Sequence, residues 1–382
     1  MSQEPERRQP IFTLALYFKK SSAQHDNAPV FLSCPASLTA IDSPQMLFRK
    51  SAQTALLSLC LLSAAHAADT TALINRLIQA GHSSWIGSPE LQPWHLKLDV
   101  QLFGDKAQPT EQGTIEEWWT SPAAYQITYT FPSYTASLIH SGNVYSRTKG
   151  TDLPPLLLHL LLRQVVAPMA PDKEISQSTP VLRNLTVEKI PLECVMIARK
   201  IDDNSEPPLS LFPTYCFGPG TNSLRMIYDF GSQAVIRNTM GVFQRREVAL
   251  DLTVLDNGKK KATAHLSTLE SNSALTPPAI DPESIEKQEP ATPVAGNVMA
   301  GHKLSGELPI GQYRGTVVIN ATIGRDGHVR SVWLTTVSNS QLALAAVAAV
   351  RTWTYTPWLL NGKPVEVTTP ITFNFVETPM PR

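Results

Sequence analysis

The chain has 382 residues, enough for two or three domains at about 150 residues each. Its 32 basic and 32 acidic residues cancel, which argues against a general nucleic-acid binder with its basic excess. Hydrophobic residues make up 42%, so real cores can form, while no uninterrupted apolar run of about 20 residues exists, which excludes a multi-span membrane protein.

Residues 1–45 are rich in Pro, Ser and Gln with no period, and they read as disordered sequence ahead of a true start at Met46. In MLFRKSAQTALLSLCLLSAAHAA (46–68), Arg49 and Lys50 precede an uncharged stretch that closes on Ala65-His66-Ala67. A basic start, an apolar centre and an A-x-A end predict a signal peptide over 46–67 and a mature protein beginning near Ala68. The alternative is a single-pass anchor through residues 51–68. Export leaves two of the four cysteines, Cys194 and Cys216, in an oxidising compartment, where a disulfide is expected. Two buried free thiols are the alternative.

Leu73, Ile74, Leu77 and Ile78 fall at helical spacing within residues 69–82. From Trp94 the period changes to two, as in WHLKLDVQLF, which predicts a half-buried strand. Further strands are expected at Thr114–Trp119, Tyr125–Thr130, Ser137–His140, Asn143–Arg147, Leu185–Ile190, Cys194–Arg199, Leu224–Phe230 and Ala234–Thr239. A hairpin turns at Asn257-Gly258, and a helix over Leu153–Val166 interrupts the strands. Residues 69–272 therefore read as a mostly antiparallel sheet with few helices. Residues 273–306 read as a linker: the stretch 276–296 holds five prolines and four acids.

The C-terminal module, 307–378, reads ββαβ. GTVVINATI alternates, Gly324–Gly327 turns, and HVRSVWLTTV returns. Ser338-Asn339-Ser340 offers caps to a helix with Leu342, Ala345, Ala346, Ala349, Val350 and Trp353 on one stripe. An Asn361-Gly362 turn leads to VEVTTPITFNF, which alternates strictly. Pro370 marks this last strand as an edge, and Glu366 and Pro370 read as partial protection of that edge.

The succession V-x-I-x-A-x-I-G-x-D-G-x-V, L-A-L-A-A-V-A-A-V-R-T-W-T-Y-T-P, N-G-K-P-V-x-V and I-T-F-N-F over about residues 310–377 resembles the TonB C-terminal domain family. The matching positions are Asp326, Gly327, Ala346, Ala349, Arg351, Trp353, Tyr355, Pro357, Gly362, Phe373 and Phe375, and most read as structural. The resemblance implies β-augmentation: a sheet edge accepts a short extended segment of an outer-membrane transporter or other envelope protein. The expected edge comprises Val365, Val367, Thr369, Ile371 and Phe373, with the Val367 N–H pointing outward. A linker of about 20–30 residues reaches at most about 60–90 Å, which is short for energy coupling across the periplasm.

The layout of residues 69–270, with GTIEEWWTSPAAYQITYTFPSYTASLIHSGNVYSR, resembles the half-barrels of the LolA/LolB lipoprotein-sorting type. That resemblance implies an apolar concave face that takes acyl lipid; a plain core is the alternative, and Trp94, Trp118 and Trp119 read as core or rim residues rather than ligand platforms. The expected fold class is α+β: a curved antiparallel half-barrel followed by a ββαβ domain. No nucleophile elbow, phosphate loop or metal-ligand spacing occurs, so an enzyme, a metal and a cofactor are not expected. The implied function is a periplasmic binding or adaptor module in outer-membrane transport, with a lipid or lipoprotein carrier as the alternative.

Overall fold

The computed structural model describes residues 69–375, apart from 105, 188, 200–206, 210, 230–232, 272–273 and 310–313. The signal-peptide and start-site expectations lie outside the described residues. Among the described residues no helix is long and apolar enough to cross a membrane.

Helix α1 (69–83) comes first. Strands β1 (Trp94–Phe103), β2 (Pro109–Ser121), β3 (Ala124–Thr130), β4 (Thr135–Ser141) and β5 (Val144–Thr148) follow as a meander. Helices α2 (Leu156–Val166) and α3 (Asp172–Ser176) intervene before a second meander of β6 (Thr179–Val187), β7 (Ile190–Ala198), β8 (Thr214–Phe217), β9 (Leu224–Tyr228), β10 (Gln233–Phe243), β11 (Arg246–Asp256) and β12 (Lys259–Ser271). β12 pairs with β1, and β13 (Ile285–Lys287) pairs with β5, so both meanders join in one curved, open sheet of 13 described strands. Every pairing in it is antiparallel.

Alternation decides which face is buried. Trp94, Leu96, Leu98 and Val100 of β1 share a core with Leu252 and Val254 of β11 and Ala262, Ala264 and Leu266 of β12. On β12 the apolar spacing slips after Leu266. The ladder slips with it: Lys97 pairs with Thr268 and Leu98 with Leu266, and Ser267 is bulged out. Helix α2 is apolar almost all round, and Leu158, Leu161, Leu162 and Val165 complete the same core. It starts at Leu156, three residues later than the sequence suggests, because Pro155 occupies the extended N-cap position. Arg237, fully buried on β10, donates from Nη1 to the Gln164 carbonyl (2.5 Å) and so caps the last turn of α2.

Two local expectations fail on turn chemistry. The strand expected at Leu185–Ile190 straddles the β6–β7 turn, where Lys189 takes φ +71°. β8 was not anticipated, because Thr214–Phe217 is short and runs into the Gly218–Gly220 turn.

The C-terminal part holds β14 (Thr292–Pro293), α4 (Gly296–Ala300), β15 (Lys303–Ser305), β16 (Gly315–Ile323), β17 (Val329–Val337), α5 (Ser340–Val350), β18 (Thr354–Tyr355), β19 (Leu359–Leu360), β20 (Lys363–Pro364) and β21 (Val367–Phe375). Its sheet runs β14-β21-β16-β17, so the expected ββαβ unit is present with one strand added. Asn339 caps α5, its Oδ1 accepting from the N–H groups of Gln341 (3.0 Å) and Leu342 (3.1 Å). The buried stripe is Leu342, Ala343, Ala346, Val347 and Val350; Ala345 and Ala349, assigned to it from sequence, are half-exposed. The Pro-rich stretch is not a free spacer: β13 lies on the large sheet and β14 on the small one. Met196, Ala198, Leu211 and Phe212 belong to the same core cluster as the β16, α5 and β21 side chains.

Candidate peptide-binding edge

β21 is antiparallel to β16, from Gly315 opposite Phe375 to Ile323 opposite Val367. Its other side is the edge. There the Thr292 N–H donates to the Glu366 carbonyl (2.7 Å) and the Val294 N–H to the Thr368 carbonyl (2.9 Å). Backbone groups alternate sides along a strand, so Glu366, Thr368, Pro370, Thr372 and Asn374 point outward. Val367, Thr369, Ile371 and Phe373 bond toward β16. Pro370, opposite Asn320, therefore deletes no donor to β16; the donor it lacks belongs to the outward edge.

This register corrects the expectation for Val367, whose N–H faces into the sheet. The residues picked from sequence present side chains to the core. Val367 and Thr369 are fully buried, Phe373 nearly so, and Val365 and Ile371 are half-buried against the same cluster. The outward ladder belongs to the intervening residues. Pro370 carried that information in the sequence, since a proline within a strand marks the side that donates nothing.

The edge is partly occupied. β14 runs parallel to β21, with Thr292 beside Val367 and Pro293 beside Thr368. The chain then passes so close to Pro370 that a Cβ on Gly296 would stand 2.0 Å from the Pro370 carbonyl oxygen. Beyond that point Thr372 and Asn374 are exposed. The Asn374 side chain accepts from Thr316 Oγ1 (3.0 Å).

Glu366 is not solvent-side protection. It is buried and pairs with Arg147 of β5, whose side chain is 1% exposed. Glu286 of β13 lies 3.6 Å from Arg147 and accepts from Arg325 Nη1 at 2.5 Å. Asp152 accepts from the backbone N–H groups of Arg325 (2.6 Å) and Asp326 (2.9 Å) at the β16–β17 turn. Burial pushes the Glu366 and Asp152 carboxyls above their usual values, against the opposing charges of Arg147 and Arg330. At Glu286 burial works upward too, but Arg325 outweighs it and holds the carboxyl low.

The remaining motif positions sit in turns and packing. Gly327 takes φ +82°, and a Cβ there would meet the Tyr355 carbonyl oxygen at 1.9 Å, so the turn closes on β18 only with glycine. Asp326 accepts from the His328 N–H (3.0 Å) and pairs with Arg330. Arg351 ends α5 and donates to Gln233 Oε1 (2.6 Å); burial lowers its pKa. Trp353 donates from Nε1 to the Glu307 carbonyl (2.8 Å) and meets Phe373 edge-on at 5.5 Å. Tyr355 is buried, which pushes its hydroxyl up to about 12. Pro357 is exposed, and Gly362 takes φ +78° in the β19–β20 turn. Cys194 and Cys216 are directly opposed on β7 and β8 and form a disulfide. Trp94 and Trp119 stack in the core at 5.6 Å, while Trp118 stacks on His95 at 3.9 Å on the opposite face.

Residues 311–376 match the family model "Gram-negative bacterial TonB protein C-terminal". Among curated proteins no sequence matches the chain significantly. Solved structures that resemble it include a LolA-superfamily protein of Nitrosomonas europaea, 8% identical, covering 52% of this chain and 92% of that one at a TM-score of 0.35. An outer membrane lipoprotein-sorting protein domain of Vibrio parahaemolyticus is 9% identical, covering 53% and 93% at 0.34. A DUF1329 family protein of Desulfovibrio piger is 7% identical, covering 54% and 95% at 0.30. The chain thus joins a C-terminal region similar to the TonB C-terminal family to a large antiparallel sheet.

Proposed function

We propose that this chain is a periplasmic envelope adaptor that takes up a short extended segment of an outer-membrane protein as an added strand on β21. The observation that carries the reading is the outward ladder at Glu366, Thr368, Thr372 and Asn374, on whose first part a strand is already laid. Main-chain bonds there supply affinity, and side chains of the added strand supply selectivity. The role is binding rather than energy transduction, because the stretch between the modules is short and fastened to both sheets.

Titration calorimetry of the full mature chain with synthetic peptides of the N-terminal segments of the host's outer-membrane transporters tests this. At least one peptide is expected to bind in the micromolar range. Thr372→Pro removes an outward donor while leaving the bonds to β16 intact, so it weakens binding at least fivefold without unfolding. Absence of binding by every peptide, or equal binding by Thr372→Pro, refutes the reading.

A further inference from the structure

We infer that β14 is a resident gate strand: the chain covers its own binding edge, and a partner segment binds by exchanging with residues 289–295. This rests on the strand-addition reading above and adds its regulation.

Four features of the segment support exchange. First, β14 uses the outward ladder itself, through the Thr292 and Val294 donors. Second, it is held lightly. It is two residues long, and no residue of 289–295 is fully buried. Third, it is anchored on both sides by contacts outside the β14–β21 ladder. Upstream, β13 pairs with β5, and the Gln288 N–H donates to the Tyr145 carbonyl (2.8 Å). Downstream, Met299 of α4 is buried in the small module's core. The stretch between these anchors can lift without unfolding either module. Fourth, the edge continues past the gate, where Thr372 and Asn374 are exposed. An incoming strand can pair there first, and it reaches Thr368 once Gly296 lifts off the Pro370 carbonyl together with the gate.

The gate strand also limits further growth of the sheet. Thr292 and Val294 direct their N–H groups at β21, so Pro293 lies on the outer side, where it offers no donor. The resting chain is therefore closed to indiscriminate strand addition, the hazard of an open apolar edge. A tethered segment competes at an effective concentration in the millimolar range. The apparent affinity of an outside segment is reduced by the fraction of chains whose edge is open.

The probe is a fluorescein-labelled peptide of the gate's own sequence, EPATPVA (289–295), added to the full chain and followed by anisotropy. In the double variant Thr292→Pro/Val294→Pro both gate donors are gone and the edge is bare. It is expected to bind the probe at least tenfold more tightly than the unaltered chain. Near-UV circular dichroism checks that the fold is kept. Thr292→Pro alone is the second variant if the double one does not fold, with at least a threefold gain expected. Equal affinity for the probe in altered and unaltered chains overturns the gate. Titration of the transporter peptides against both forms separates this result from the reading beneath it. Transporter peptides that bind both forms equally well refute the gate and leave strand addition standing. A gain for EPATPVA with no transporter peptide binding either form upholds the gate and refutes the transporter partner.

Discussion

Arg147 and Glu366 face each other with 1% and 5% of their side chains exposed, one from the rim of the large sheet and one from the start of β21. Breaking such a pair by removing one member strands the other charge away from water, at about 3–5 kcal/mol. Arg147→Ala is expected to lower unfolding stability by that amount in urea titrations at pH 7. Burial raises the folded-state pKa of Glu366 above its ordinary value of 4.5, so the folded chain holds that proton more tightly than the unfolded one. Stability contributed by this group is then lost as pH rises through the window above 4.5. Glu366→Gln removes that slope. If stability plotted against pH between 4 and 6 is the same for Glu366→Gln as for the parent, the carboxyl is not shifted in the direction assigned.

Among the elements, β21 shows what a sequence pattern carries and what it omits. Strict alternation revealed the strand and the face its side chains bury. Alternation does not say on which side each backbone N–H points, and only the proline at 370 carried that parity. Ile371 and Thr372 are neighbours with opposite tasks: Ile371 bonds toward β16 opposite Ile319, while Thr372 points to the edge. Ile371→Pro is expected to destabilise the chain by about 3 kcal/mol or more, whereas Thr372→Pro leaves the melting temperature within a few degrees. A larger loss for Thr372→Pro than for Ile371→Pro would place the ladder on the other parity, and comparable melts would refute the difference assigned here. The disulfide was legible as a pairing, but its place was not, because β8 was missed. Cys194 and Cys216 tie β7 to β8 across a sequence separation of 22, inside a small cluster with Leu192, Met226 and Ala234. On the chain-entropy account a loop of this size is worth about 3 kcal/mol. The double variant Cys194→Ala/Cys216→Ala should lose about that much in urea while remaining folded, and an unchanged midpoint would refute the estimate.

Across the whole molecule, the strand meanders and the ββαβ module were readable because each is local: alternation, a turn, a capped helix. The joining of the modules was not, since it depends on residues far apart in sequence. Met196, Leu211 and Phe212 look like ordinary core residues of the large module, yet they pack into the cluster of Val317, Ile319 and Val350. The Pro-rich stretch adds strands to both sheets, and the Arg147, Glu286, Arg325 and Glu366 charges interlock beside it. Modules that share a core cannot melt one at a time without exposing the other's apolar surface. The full chain should therefore give a single calorimetric transition with the van't Hoff enthalpy close to the calorimetric one. Phe212→Ala leaves a cavity in the shared core, at about 3–5 kcal/mol, and should shift that one transition downward as a whole. Two resolved endotherms, with Phe212→Ala moving only one of them, would show that the small module folds on its own and that the shared cluster contributes little to holding it.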